Sequence, residues 1–142
     1  AFDRTFDENG AIDWRHTDFY VPDAYVRDTA KRHPQRFEWV ASIHPYREDC
    51  IQALEEAKLG GARAVKWLPS AMGIDPASGL CRTFYDALVG LDLPLISPAA
   101  LARPVAGPDL HDLGNPLQPR SAPPARLALL LRACAPRRGA VG

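Results

Sequence analysis

The sequence predicts an α/β fold with parallel strands, and three observations carry that expectation. Helix-like and strand-like stretches alternate from Thr17 to about Ile96. The strand-like stretches are short, apolar and rich in aromatic or β-branched residues, and proline or glycine punctuates the joins. Helices alternating with buried strands imply parallel pairing, because parallel neighbours need a long crossover, and that crossover is right-handed.

Taken in order, Pro22 and Asp23 open an amphipathic helix with Ala24, Tyr25, Val26 and Ala30 as its apolar positions, halted at His33-Pro34. Residues 37–43 (Phe-Glu-Trp-Val-Ala-Ser-Ile) read as a strand that runs to His44 and is ended by Pro45. Glu48 and Asp49 place negative charge at the start of the next helix. Ile51, Leu54 and Leu59 mark its apolar face, Ala53 and Ala57 pack closely, and Gly60-Gly61 stops it. Residues 62–68 form a second strand, ended by Pro69. A loop with Gly73, Pro76 and Gly79 leads to a helix from Cys81 to Val89, with Phe84, Ala87 and Leu88 inward, and Leu93 to Ile96 is a third strand. The three strands are expected side by side in one parallel sheet, in chain order.

Beyond Pro98 the texture changes. Nine of the 14 prolines lie from Pro94 onward, and 17 of the 25 residues in 118–142 are Ala, Pro, Arg or Gly. That composition divides the chain into an ordered part, 1–117, and a tail, 118–142, with too few large apolar groups to fold by itself beyond a helical turn or two at 125–134. Lys+Arg and Asp+Glu are equal at 17 each, so no overall field favours nucleic acid or a membrane surface. The five arginines after Asp112 are read as a solvated basic end. Cys50, Cys81 and Cys134 are too far apart for a zinc knuckle or disulfide framework, which points to a reducing, cytoplasmic setting. No apolar run is long enough to span a bilayer, and the absence of an initiator Met points to a start inside a longer protein.

Two residues stand where chemistry is expected. His44 ends the first strand within Ser42-Ile43-His44-Pro45-Tyr46-Arg47, and ligands of parallel α/β folds bind at C-terminal strand ends. The structural alternative is that His44 caps the strand while Arg47 pairs with a nearby acid. Lys66 lies between Val65 and Trp67 in an apolar strand, where a lysine is costly to bury unless it is paired or functional. Its structural alternative is a stem that packs while the ammonium reaches the strand end. Asp3, Arg4, Asp75 and His111 are individually weak candidates, and His16 and His33 read as surface residues. No H-x-H, H-E-x-x-H, G-x-S-x-G, P-loop or dinucleotide fingerprint is present.

The segment Ser42 to Arg47, and again Gly61-Ala62-Arg63-Ala64-Val65-Lys66-Trp67-Leu68-Pro69-Ser70-Ala71-Met72-Gly73-Ile74-Asp75-Pro76, resembles a bacterial branch of the amidohydrolase superfamily. Thr17 to Pro22, Phe84 to Leu88, Leu93-Pro94-Leu95 and Gly114-Asn115-Pro116-Leu117 also fit, so the resemblance covers about Ala1 to Leu117. It implies a partial (β/α)8 barrel of the TIM type, about strands two to five with their helices. The family's intact members are metal-dependent hydrolases of small-molecule substrates, zinc being the expected divalent ion.

The same resemblance implies that this chain is inactive alone. The family's strand-one H-x-H pair and strand-eight Asp have no counterpart here. The strand-five pattern Leu-Ile-Thr-His-Ala-Gly-Glu stands as Leu95-Ile96-Ser97-Pro98-Ala99-Ala100-Leu101, and the strand-six Ala-His-Cys-Ala stands as Arg132-Ala133-Cys134-Ala135. Neither Pro98 nor Ala133 has a donor side chain, so no metal ligand is expected in this chain, and His44 and Lys66 remain as its site residues. Two lost ligands around family-like sequence point to local frame errors. The competing expectation is a non-catalytic α/β interaction module, or a decayed gene fragment, that meets a partner through an open sheet edge or the basic end.

Overall fold

The computed structural model describes residues 1–97. The boundary at 117, the tail at 118–142, His111 and the helical turn expected at 125–134 lie outside the described residues.

The described part mixes helix and strand around a small parallel sheet. Its elements are α1 (Asp23–Arg32), α2 (Cys50–Leu59), β1 (Val65–Lys66), a helical turn α3 (Pro69–Met72), a 3-10 turn (Gly79–Cys81), α4 (Arg82–Gly90) and β2 (Leu95–Ile96). β1 and β2 pair in parallel, Val65 opposite Leu95 and Lys66 opposite Ile96. On the other side of β1, Ala41 makes a parallel bridge to Val65. The bridge is held by Ala41 N–H to the Ala64 carbonyl at 3.0 Å and Lys66 N–H to the Ala41 carbonyl at 2.8 Å. The spatial order of the three extended segments therefore follows the chain, as expected.

The strands are shorter than their sequence pattern. Residues 37–40 are extended without bridges, and Phe37 is exposed. Their apolar composition serves one anchor instead: Trp39 is buried, and its indole N–H donates to the Gly60 carbonyl at 3.0 Å, tying the segment to the end of α2.

The helices lie where glycine and proline punctuation puts them, but two of their apolar faces differ from expectation. Of α1's predicted inward positions only Ala30 is buried, while Ala24 and Tyr25 face solvent. In α2 the buried residues are Cys50, Leu54 and Ala57, and Leu59 is 88% exposed. Ala24 and Tyr25 lie in the first turn of α1 and Leu59 is the last residue of α2, helix ends that the core leaves uncovered. In α4, Phe84, Tyr85 and Leu88 are buried as the 3.6-residue period requires.

The stretch after Pro69, expected as a loop, opens with the helical turn α3. Pro69 begins it, where its missing N–H costs nothing, and Gly73 ends it at φ 67°, a left-handed conformation that glycine adopts without strain. Residues 1–21 fold back on themselves through isolated antiparallel bridges, Phe2 to Val21 and Phe6 to Ile12.

One core joins these pieces. Ala41, Ile43, Leu54, Val65, Trp67, Phe84, Leu88 and Leu95 belong to a single buried cluster. Trp67 stacks on Phe84 with ring centroids 5.9 Å apart at 12°, so the helices cover the sheet face to which Val65 and Trp67 point. Strand alternation sends Ser42, His44 and Lys66 to the opposite face. That face carries the polar chemistry.

Candidate functional site

The opposite face is organised by Asp3, whose side chain is almost wholly buried. Its Oδ2 accepts from the backbone N–H of His44 at 3.0 Å and from Arg47 Nη1 at 2.9 Å, and its Oδ1 accepts from the Arg4 N–H at 2.9 Å. Its own N–H donates to Ser42 Oγ at 3.0 Å. A carboxylate out of water needs such partners, since each unmatched buried polar group costs about 1–3 kcal/mol. Asp3 therefore clamps the N-terminal segment to the end of the strand-like run through residues 42–44.

Arg47 extends the cluster. It reaches Asp49 with Nε at 2.8 Å and Nη2 at 2.7 Å, a two-pronged pair, while Nη1 holds Asp3. Bonding to Asp49 and then Asp3 raises its already high pKa, so it is a permanent cation. Asp23, at the first turn of α1, turns its carboxylate to the sheet, and Oδ1 accepts from the Ser42 N–H at 2.9 Å. Burial pushes Asp23 up to about 6, against the lowering effect of that hydrogen bond.

His44 is fully buried, with both ring nitrogens engaged. Nε2 lies 2.9 Å from the Met72 carbonyl, which can only accept, so Nε2 carries the proton. Nδ1 accepts from the Tyr46 N–H at 3.2 Å. Burial lowers the ring's pKa to about 4, and the Met72 bond only partly opposes this. His44 is thus a neutral ring of fixed tautomer that joins the strand end to α3. It holds the backbone around the cluster, and no lone pair remains for a metal ion or for proton abstraction.

Lys66 shares the sheet face but has a different environment. It is exposed, whereas His44 is enclosed by Phe6 and Tyr46 at ring-centroid distances of 5.2 and 5.0 Å. His44 and Lys66 thus have different surroundings among the described residues, one enclosed and the other exposed. A groove along α1, lined by Tyr25, Asp28, Lys31 and Arg32, includes neither. The lysine's apolar neighbours Val65 and Trp67 are buried on the other face.

Of the weaker candidates, Asp75 makes a turn, its Oδ1 accepting from the Ala77 N–H at 2.9 Å. His16 and His33 are surface residues, His16 paired with Asp13 at 2.6 Å. Asp3, Arg4 and Asp23 are the site residues that sequence reasoning undervalued. A signal for the first two was present: Phe2, Asp3, Arg4 and Phe6 place charge between aromatic residues in a short extended stretch. Nothing local marks Asp23, which reads as ordinary helix-start chemistry.

A catalytic zinc needs three protein ligands about 2 Å away. Among the described residues no three His, Cys, Asp or Glu side chains are grouped to supply them. No helix among the described residues is long and apolar enough to cross a membrane. Comparison with protein-family models, curated proteins and solved structures gives no match to this chain.

Proposed function

We propose that this chain is part of an amidohydrolase-type barrel, about strands two to five, and that its intact relatives are metal-dependent hydrolases while this chain is inactive alone. The observation that carries the reading is the parallel, chain-ordered alignment of Ala41, Val65 and Leu95, with helices on one face and Asp3, Ser42 and His44 on the other. A barrel built from such units has its inward side chains and strand-end loops on the uncovered side, where active sites assemble. In this reading His44 is a positioning residue and Lys66 an electrostatic group at the strand end. A bound divalent ion would supply an activated water in the intact relatives.

The coding DNA tests this directly. Translated in its other two forward frames after Ser97, it should yield a histidine in place of Pro98 and another near Ala133. A continuation without histidine in any frame would overturn the reading. Zinc calorimetry on the full chain is expected to show no tight site; a Kd below about 1 μM would revive an active enzyme.

The second reading is a non-catalytic interaction module. It is favoured by the number of large side chains left in solvent, Trp14, Phe19, Tyr20, Tyr25 and Phe37. Trp14 and Tyr20 both flank Arg4, and an exposed apolar patch of that kind can mark a contact surface.

A further inference from the structure

We propose that Arg4 anchors a binding site for a small organic carboxylate with a planar apolar body, walled by Trp14 and Tyr20. The inference is independent of the barrel reading. The guanidinium carbon of Arg4 lies 4.5 Å from the centroid of the Tyr20 ring and 6.0 Å from those of Phe6 and Trp14. Aromatic faces fix such a cation in place without satisfying its N–H groups.

Those groups find no acceptor among the described residues. Nε is buried, without a hydrogen-bond partner and faced by Asp3 Oδ1 at 3.9 Å, so the outer Nη1–Nη2 edge is the one a ligand can reach. Asp3 cannot easily turn to serve it, because both its oxygens already hold the Arg4 and His44 backbone N–H groups and Arg47. Asp49, the other carboxylate of the cluster, is engaged by Arg47. Arg4 is therefore the cation of this cluster whose outer Nη1–Nη2 edge has no acceptor among the described residues. A carboxylate fits that edge through two parallel N–H···O bonds.

The walls decide the rest of the ligand. Trp14 is 66% exposed, Tyr20 42% and neighbouring Phe19 56%. Large apolar faces beside a single unmatched cation favour a monoanion that carries its own planar apolar surface. A compact dianion such as phosphate would find one guanidinium and no apolar complement.

The probe is benzoate, titrated into the full 142-residue chain while the indole N–H resonances of its three tryptophans are followed by NMR. The Trp14 signal should move saturably, with a Kd of about 1 mM, while the buried Trp39 and Trp67 signals stay fixed. Acetate and inorganic phosphate should bind about tenfold more weakly, since they lack the apolar plane. Arg4→Lys keeps the charge but loses the fork, and should weaken benzoate by about tenfold in calorimetry. Trp14→Ala, at an exposed position, should also weaken it and leaves the fold intact. A still Trp14 signal, phosphate binding as tight as benzoate, or unchanged affinity in either folded variant would each overturn the proposal. If Arg4→Lys fails to fold, Trp14→Ala decides by itself.

Discussion

A buried histidine and a part-buried aspartate pull the pH dependence of stability in opposite directions. Burial holds the Asp23 carboxyl up at about 6, against an ordinary 3.8, so the folded chain binds its proton more tightly than the unfolded chain does. Its contribution is complete below about 4 and is lost as pH rises through 6. The ring of His44 is pushed down to about 4, against an ordinary 6.5, so folding favours the neutral form. That contribution is complete above 6.5 and is lost as pH falls toward 4. The two slopes nearly cancel between pH 4 and 6.5. Asp23→Asn keeps an oxygen for the Ser42 N–H but removes one titration. Its stability should fall on acidification across this window, by at most about 3 kcal/mol, while the parent stays flat. Denaturant unfolding at several pH values reads this, and parallel profiles for the two proteins would refute it.

At the scale of elements, the turn after β1 depends on one backbone conformation. Gly73 sits at φ 67°, and a Cβ there would meet Thr5 Cγ2 at 3.5 Å, an ordinary contact. The expected cost of Gly73→Ala is therefore conformational, about 1–2 kcal/mol. Gly79→Ala is the control, because a Cβ at Gly79 meets nothing and its φ is not positive. Equal stability loss in the two variants would refute the assignment. Packing is tested in α2, where Leu54 is fully buried against the shared core. Leu54→Ala should cost about 2–5 kcal/mol, and Leu59→Ala, at a solvent-facing position, well under 1 kcal/mol. Leu59 illustrates the limit of periodicity, which finds the apolar stripe of a helix but not where its neighbours end.

Across the whole molecule, the central ladder should be the last part to open. The amides of Ala41, Val65, Lys66 and Trp67 all donate between the three parallel segments, and the core cluster lies on one face of them. The tip of the N-terminal hairpin lies in solvent, with Asp7 accepting from the exposed Asn9 and Ala11 amides. Native-state hydrogen exchange should rank the ladder amides slowest and those at residues 8–16 fastest. Fast exchange at Val65 and Lys66 would refute a cooperative sheet.

The alternation of helix and strand, the approximate limits of α1, α2 and α4, and the parallel order of the three extended segments were legible in the chain alone. Those features follow from local signals: proline and glycine stops, charge at helix starts, and the spacing of apolar residues. The sequence also picked out His44 as a strand-end residue. The surroundings of His44 became visible only in the folded chain, because its two bonds run to the Tyr46 amide and to Met72, and Met72 belongs to a turn read as loop. The cluster's centre, Asp3, was equally hidden, since its partners lie 39 to 44 positions away in sequence. Hydrogen bonds over such separations leave no periodic trace in a chain, and desolvation, which sets the acidities of Asp23 and His44, exists only once the surrounding segments have closed around them.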